Sequence, residues 1–293
     1  MSELIVADIA RTCRTPLARV SPAARGGYGR LMRGIKAVLL DIDGVLTVSW
    51  RPLPGAVEAV AWLRDAGFAV ALVTNTTSQT RAWMASALSE AGFGVGAGDI
   101  FSAPAITAGY LARHYPGARC ALLNSGDIAE DLAGVTLVSG DDAPPDVVIL
   151  GGAGPEFSYA ALNRVFGYLL GGARLVAMGR NLYWRTEAGL QLDAGSFLAG
   201  LEQAAGVTAE VPGKPAAAFF GTAMEALGAT PAETVMVGDD IEADVLAAQR
   251  HGITGVLVRT GKFRPEALEN APAVPDQVID TIADLPGLLE PPS

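Results

Sequence analysis

From Lys36 onwards, short apolar runs of strand length alternate with segments long enough to form helices. Runs such as 68–73 and 234–237 end in polar residues, and Gly or Pro residues bound several of the helical segments. Strand–helix alternation of this kind is typical of parallel sheets that are covered by helices on both faces. The sequence therefore predicts an α/β fold built on a doubly wound parallel sheet.

The alternation is organised in blocks. Residues 1–34 show no sustained periodicity and predict a flexible extension, with Met32 as an alternative start just before the first strand. The stretches 35–107 and 208–293 carry one pattern, which is interrupted by 108–207 with its own strands and helices. We therefore expect one large domain into which a second α/β domain is inserted.

Asp41 and Asp43 follow the first apolar run and are themselves followed by Gly44. Because the side chains of an extended chain alternate between two faces, both carboxylates begin on the same side of the backbone. Two negative charges this close repel each other unless a cation or a phosphoryl group shares the space. Taken alone, the string also fits a solvated turn, where Asp and Gly are common for conformational reasons. Both interpretations stay open at this point.

Three further segments place polar side chains where predicted parallel strands end or a helix begins. They contain Thr74 and Asn75, then Lys214, and finally Asp239, Asp240 and Asp244. Each has an ordinary explanation, as turn caps, as a solvated lysine, or as acids at the positive end of a helix. In an open α/β sheet, however, the carboxyl ends of the strands form the ligand-binding edge. Carboxylates gathered there need a cation, and oxygen ligands of this type suit Mg²⁺.

In order and in residue type, the four segments resemble the motifs of the haloacid dehalogenase (HAD) superfamily. These motifs are D-x-D-G at 41–44, Thr-Asn at 74–75, the lysine at 214 and G-D-D-x-x-x-D at 238–244. The block between the second and third motifs resembles the C2 (type-II, NagD-like) cap of that superfamily. Within this subclass, the segments 74–77, 213–215, 237–240 and 259–262 resemble those of the phospholysine phosphohistidine inorganic pyrophosphate phosphatases and their haloacid dehalogenase-like relatives.

The resemblance implies a domain organisation and a catalytic apparatus. Residues 35–107 and 208–293 would form a Rossmann-like catalytic core, with 108–207 as an inserted α/β C2 cap domain. Asp41 would be the nucleophile that forms an aspartyl-phosphate, and Asp43 the general acid that later acts as a base for water. The presence of Asp43 favours a phosphatase over a dehalogenase.

The resemblance also implies three kinds of ligand at the sheet edge. The metal ligands for Mg²⁺ would be Asp41, the main-chain carbonyl of Asp43, and Asp239, with Asp240 or Asp244 behind them. The phosphoryl oxygens would be bound by Thr74 and the backbone N–H of Asn75. Lys214 would offset negative charge on both the phosphate and the nucleophile.

We therefore predict a Mg²⁺-dependent phosphatase that hydrolyses a small phosphorylated metabolite. A phosphomonoester is the expected substrate class, with a P–N bond or pyrophosphate as alternatives. Two other functions stay open. One is transfer of the phosphoryl group to an acceptor other than water, and the other is a regulatory protein that binds a phosphorylated ligand without turnover.

The segment 179–185 is the expected substrate-reading loop of the cap. Its residues Arg180, Asn181 and Tyr183 could bind a planar or anionic substrate. The alternative is that the aromatic residues pack between cap and core while the arginines are solvated. Lys262 is assigned to the surface.

The composition narrows the range of partners and compartments. A net charge of −10 weighs against nucleic acids and anionic membrane surfaces, and no apolar run approaches the ~18 residues that span a bilayer. Cys13 and Cys120 have unrelated contexts, which favours a reducing compartment, and we expect a cytoplasmic protein. The partner is then a small phosphorylated substrate, and pairing of two copies through the cap is the alternative to a monomer.

Overall fold

A computed structural model describes residues 32–139, 144–186 and 189–289, and for 184–186 and 189–190 it describes the backbone. The strands, numbered along the chain, are β1 (Ala37–Asp41), β2 (Thr47–Val48), β3 (Arg51–Pro52), β4 (Ala69–Thr74), β5 (Ile100–Ser102), β6 (Arg119–Leu123), β7 (Thr136–Leu137), β8 (Val147–Leu150), β9 (Arg174–Ala177), β10 (Tyr183–Thr186), β11 (Gly189–Leu192), β12 (Thr234–Gly238), β13 (Thr254–Val258) and β14 (Gln277–Ile279). Most of the extension expected at 1–34 lies outside the described residues.

The α-helices alternate with these strands. They are α1 (Ala56–Asp65), α2 (Arg81–Glu90), α3 (Ala103–His114), α4 (Tyr159–Leu170), α5 (Ala194–Ala205), α6 (Ala217–Leu227), α7 (Ala247–Arg250) and α8 (Pro265–Glu269). A π-helical segment, Ile241–Leu246, runs directly into α7, and short 3₁₀ turns occupy Ala97–Asp99, Glu130–Leu132, Pro231–Glu233 and Ile282–Gly287.

The larger sheet has the strand order β14-β13-β12-β1-β4-β5, and all of its described pairings are parallel. Its central strand β1 is fully buried, since both faces of the sheet are covered. Val38 and Leu40 pack against α1 and α2 on one face, while Leu39 packs against α6 on the other. The predicted α/β fold with a doubly wound parallel sheet is therefore confirmed. Helices cover both faces of the sheet because strands that are apolar throughout must be buried on both sides.

A second parallel sheet, β7-β6-β8-β9, is formed within the inserted stretch. Helices α4 and α5 cover one face of this sheet, and α3 with the 3₁₀ turn Glu130–Leu132 covers the other. Helix α3 runs through the predicted boundary between 107 and 108. The boundaries of the inserted domain stay a prediction.

Hydrogen bonds connect the turn Glu130–Leu132, which covers the second sheet, to elements that flank the larger sheet. Asp131 lies in this turn, and its buried carboxylate accepts hydrogen bonds from the backbone N–H of Arg81 at 2.9 Å and from its Nε at 2.8 Å. Ser102, at the end of β5, donates to the same carboxylate at 3.3 Å. Asp131 therefore joins the second sheet to the first turn of α2.

Several elements differ from the sequence-based expectation. Residues 127–132 form only the short turn Glu130–Leu132, because the Asp127 side chain accepts from the backbone N–H of Ala129 and favours a turn over a helix. The helical segment 241–250 is not a regular α-helix throughout, since it begins as a π-helix. The hairpins β2–β3 and β10–β11 were not predicted, since strands of two to four residues carry little periodicity. Within the described ranges, no helix combines the length and the apolar character that crossing a bilayer requires.

Candidate active site

The carboxyl ends of three neighbouring strands meet at one point of the larger sheet. Asp41 is the last residue of β1, Thr74 is the last of β4, and Asp239 follows the last residue of β12. Lys214 reaches the same point from the segment before α6. All four side chains are buried, and so is that of Asp244. Polar groups are rarely buried without partners, so their mutual contacts define the site.

Lys214 connects two of the buried carboxylates. Its Nζ lies 2.5 Å from Asp41 Oδ1 and 2.8 Å from Asp244 Oδ1. Burial by itself lowers the pKa of the Lys214 ammonium, but the charges of Asp244 and Asp41 outweigh that effect and raise the pKa above its usual value. The lysine is therefore protonated at neutral pH and permanently offsets part of the negative charge.

The Asn75 side chain positions Lys214 through its backbone. Asn75 Nδ2 donates to the Lys214 carbonyl at 3.2 Å, and the Lys214 N–H donates to Asn75 Oδ1 at 3.1 Å. Both polar ends of the amide are thus used. The sequence-based expectation concerned only the Asn75 N–H, whereas the structure adds a positioning role for its side chain.

Thr76 is a site residue that sequence reasoning missed. Its hydroxyl donates to Asp43 Oδ2 at 3.2 Å and accepts from the Thr74 hydroxyl at 3.0 Å, while its N–H donates to Thr74 Oγ1 at 3.0 Å. Burial raises the pKa of the half-buried Asp43 carboxyl, and the hydrogen bond from Thr76 opposes that rise. The hydroxyl-rich string that follows β4 was the available signal.

Asp41, Asp239 and Asp244 form a compact acidic cluster. One carboxylate oxygen from each lies within 4.8 Å of the others. Burial raises the pKa of all three, that of Asp244 to about 7, while Lys214 opposes the rise at Asp41 and Asp244. Asp239 Oδ1 is buried without a hydrogen-bond partner in the described structure. Crowded oxygen donors, one of them orphaned, fit a divalent cation, since Mg²⁺ takes carboxylate ligands of this kind.

Asp240 lies beside the cluster and serves a different purpose. Its Oδ1 accepts from the backbone N–H groups of Glu242 and Ala243 at 3.1 and 3.0 Å, which caps the π-helical segment. Asp244 Oδ2 accepts from the Asp240 N–H at 3.3 Å. Of the two acids that the sequence proposed behind the metal ligands, the structure thus turns Asp244 inward and uses Asp240 as a helix cap.

Two glycines allow the loops around Asp239 to approach each other. Gly44 and Gly261 have φ angles of 87° and 63°, and a Cβ on either would lie 2.0 Å from Asp239 Oδ2. The Thr260 hydroxyl donates to the Gly44 carbonyl, and the Lys262 N–H donates to Asp239 Oδ2 at 2.6 Å. The loop after β13 therefore belongs to the site, although sequence reasoning assigned Lys262 only to the surface.

The predicted substrate-reading residues make other contacts in this structure, and their role in binding substrate stays a prediction. Both guanidinium NH₂ groups of Arg180 donate to the Glu202 carboxylate, at 2.9 and 2.7 Å, so the Arg180 side chain is paired with a residue of the inserted stretch 108–207. The Asn181 carbonyl accepts from the N–H of Gly195 at 2.9 Å, and Tyr183 is exposed. In the described part of the chain, no hydrogen bond joins these three residues to the acidic cluster.

Comparison with known proteins places this geometry in a family. A haloacid dehalogenase-like hydrolase model matches residues 38–137, and a HAD-hydrolase-like model matches 211–285. The chain is 35% identical over 268 residues to phospholysine phosphohistidine inorganic pyrophosphate phosphatase from Bos taurus, covering 89% of this chain and 97% of that protein. The chain belongs to the haloacid dehalogenase-like hydrolases.

Solved structures agree with this assignment. NagD from E. coli K-12 superimposes with a TM-score of 0.76 at 28% identity, covering 85% of this chain and 98% of that one. The glycerol phosphate phosphatase Rv1692 from Mycobacterium tuberculosis, in complex with magnesium, superimposes with a TM-score of 0.78 at 26% identity, covering 87% and 77%. The predicted resemblance to NagD-like HAD phosphatases is confirmed, and the protein is a phosphatase of that family.

The pKa shifts of this HAD phosphatase predict how its stability without metal depends on pH. A carboxyl with a raised pKa in the folded state holds a proton that the unfolded state has already released, so stability falls as pH rises through that window. For Asp244 the window extends from its ordinary value of 3.8 to about 7. We expect the unfolding midpoint in EDTA to be lower at pH 8 than at pH 5.5.

A divalent cation should remove this dependence, because it replaces the proton as the partner of the carboxylates. Thermal denaturation at both pH values, in EDTA and in Mg²⁺, tests the prediction. Asp244→Asn is the matched variant and should flatten the profile in EDTA. An EDTA midpoint that is equal or higher at pH 8 would contradict the assignment of these shifts.

Thr76→Val tests the positioning of Asp43. Removing the hydroxyl deletes the hydrogen bond to Asp43 Oδ2, which should lower kcat by roughly 10-fold, the cost of one such bond. Thr76→Ser keeps the hydroxyl and should retain most of the activity. A Val variant as active as the Ser variant would show that this bond has no part in turnover.

Proposed function

We propose that this HAD phosphatase depends on Mg²⁺ and hydrolyses small phosphorylated compounds through an aspartyl-phosphate on Asp41. The observation that carries the proposal is the contact of Lys214 Nζ with both Asp41 and Asp244. Burial raises the pKa of the Asp41 carboxyl, and the protonated lysine opposes that rise and so favours the ionised nucleophile. The orphaned Asp239 Oδ1 is an oxygen ligand that remains available to a metal ion.

In the first step, a carboxylate oxygen of Asp41 attacks phosphorus while the bond from phosphorus to the leaving atom breaks. The leaving atom keeps the electron pair and takes a proton from Asp43, whose raised pKa suits a general acid. In the second step, water attacks the aspartyl-phosphate and gives its proton to Asp43. Orthophosphate leaves and the Asp41 carboxylate is regenerated.

The Mg²⁺ ligands in this proposal are Asp41, Asp239 and the main-chain carbonyl of Asp43, with Asp244 beside them. The bound ion would supply charge stabilisation to the phosphoryl oxygens during transfer. Asp244 contributes by holding Lys214, and Asp240 by fixing the turn that carries Asp244.

The transferred phosphoryl group would be bound by the Thr74 hydroxyl, the Asn75 N–H and the Lys214 ammonium. Donors preorganised in a buried site stabilise the charge that develops during transfer, and losing one typically costs ~10²–10³ in rate. The Asn75 side chain keeps Lys214 in register with Asp41 through its two hydrogen bonds.

The substrate proposal rests on the relatives. The name of the bovine relative gives phospholysine, phosphohistidine and inorganic pyrophosphate, and the mycobacterial structure is a glycerol phosphate phosphatase. We propose phosphomonoesters as the general class for this chain, with P–N compounds and pyrophosphate as the alternatives that the panel below separates. Residues 108–207 would act as the cap, and pairing of two copies through that cap is tested by the mass in solution.

The experiment is release of orthophosphate with and without Mg²⁺ from a panel of small phosphomonoesters, phosphoramidates and pyrophosphate. Release that requires the metal and disappears in EDTA supports the proposal, and the ranking identifies the substrate class. Faster loss of the leaving group in the presence of alcohols or amines would indicate a phosphotransferase. Folded protein that binds Mg²⁺ but releases no phosphate from the whole panel would contradict the proposal.

A further inference from the structure

The loop that carries Lys262 is attached directly to the loop that carries Asp43. The Thr260 hydroxyl donates to the carbonyl of Gly44, the residue after Asp43. A Cβ built on Gly261 would lie 2.5 Å from Gly44 Cα, so the two backbones are in close contact. Lys262 follows Gly261, and its N–H donates to Asp239 Oδ2 at 2.6 Å. Its backbone is therefore held at the site by both neighbouring loops.

The Lys262 ammonium forms no ion pair with the described residues, yet it lies within the field of the acidic cluster. Desolvation lowers its pKa, but the charges of Asp239 and Asp41 outweigh that effect and raise it. The residue is exposed, and among the described residues no carboxylate or hydrogen-bond acceptor pairs with its Nζ. The other two lysines are paired, Lys36 with Glu233 at 2.6 Å and Lys214 with Asp41 and Asp244. Because the backbone N–H of Lys262 is fixed on Asp239, its ammonium is available to a ligand that binds at the acidic cluster.

The two lysines of the site differ in their contacts. The Lys214 ammonium lies 2.5 Å from Asp41 Oδ1 and 2.8 Å from Asp244 Oδ1. The Lys262 ammonium forms no such ion pair with the residues that the structure describes, but its loop is attached to the carbonyl of Gly44, the residue after Asp43. Lys214 therefore engages the nucleophile directly, whereas Lys262 lies on the loop beside the proposed general acid.

We infer that the Lys262 ammonium binds negative charge on the leaving group and so selects phosphoryl donors whose leaving group is an anion, such as a second phosphate. This inference rests on the proposed function, in which Asp43 protonates the leaving atom. With pyrophosphate, the bridging P–O bond breaks, the departing phosphate keeps the electron pair and takes the Asp43 proton, and Lys262 offsets its remaining charge. A leaving group without charge gains nothing from this contact.

The test compares pyrophosphate with phenyl phosphate, whose leaving group carries no charge after protonation. We expect Lys262→Met to lower the ratio of kcat/KM for pyrophosphate to that for phenyl phosphate by roughly 10- to 100-fold, the range for one charge-assisted hydrogen bond. Lys262→Arg should restore most of the ratio. Lys36→Met removes the same charge at the opposite end of β1 and should leave the ratio unchanged.

The outcomes separate the inference from the proposed function. An equal loss on both substrates, or a smaller Mg²⁺-induced rise of the unfolding midpoint in Lys262→Met, would mean that Lys262 acts through Asp239 and would overturn the inference. An unchanged ratio would overturn it as well. Wild-type protein that cleaves phenyl phosphate but not pyrophosphate would refute the inference while the proposed function stands. If neither compound nor the wider panel is cleaved, the proposed function itself fails.

Discussion

Asp41→Asn is expected to reduce Mg²⁺-dependent phosphate release by at least ~10⁴-fold while the protein stays folded. An amide oxygen is a poor nucleophile, so the covalent step is lost. The fold should persist, because Asn has nearly the same shape and its oxygen can still accept from Lys214 Nζ. Burial raises the pKa of Asp41, which means that its charge is a cost to the metal-free fold rather than a support.

Single-turnover and steady-state phosphate release measure this effect, with thermal denaturation as the check on folding. Asp65→Asn is the matched control, because it makes the same chemical change on an exposed residue at the end of α1. Mass spectrometry must exclude deamidation back to Asp. Turnover near the wild-type rate in verified Asn protein would refute Asp41 as the nucleophile.

Asp239→Asn is expected to have two large effects of opposite sign. Without metal, the variant should be more stable than the wild type, since a buried carboxylate with an orphaned oxygen and a pKa raised by burial and by Asp41 becomes neutral. The unfolding midpoint in EDTA should rise by roughly 2–4 °C for each kcal/mol of repulsion removed. With Mg²⁺, the variant should lose about 10²-fold or more in metal affinity and activity, because a direct ligand is missing.

The two effects are read from midpoints measured across a Mg²⁺ titration. Glu242→Gln serves as the control, since it removes a nearby but exposed charge and should leave both the EDTA midpoint and the Mg²⁺ response close to wild type. A Mg²⁺-induced rise in Asp239→Asn as large as that of the wild type would exclude Asp239 as a metal ligand. A substitution that raises stability while it lowers activity is typical of functional sites in which like charges lie close together.

Much of the site follows from where the apolar runs end. The end of β1 at Asp41 and the end of β4 at Thr74 are visible in the sequence, because a buried strand must be continuously apolar and a polar residue marks its exit. Lys214 is also visible in the sequence, because it stands just ahead of a helical segment in the repeating strand–helix pattern. These predictions rest on local patterns combined with a general rule about parallel sheets, so no knowledge of packing was needed.

Other features depended on contacts between distant segments. Thr76 reaches Asp43 across 33 residues of sequence, and the Lys262 N–H reaches Asp239 across 23. The ion pair of Arg180 with Glu202 also joins separate segments, and the expected contact of Arg180 with substrate stays a prediction. A cation on a loop can pair with any of several acids, and a single sequence does not reveal which one the fold brings close.

The sequence by itself determined the alternation of strands and helices, the parallel sheet and the polar residues at its carboxyl edge, because these depend on the period and length of apolar runs. Only the tertiary structure decided which of two neighbouring acids turns inward. Asp240 caps the π-helical segment while Asp244, four residues later, contacts Lys214. The physical reason is that the direction of a side chain on a helical turn depends on how that turn packs against β12 and β13, and this packing is set by residues far apart in the chain.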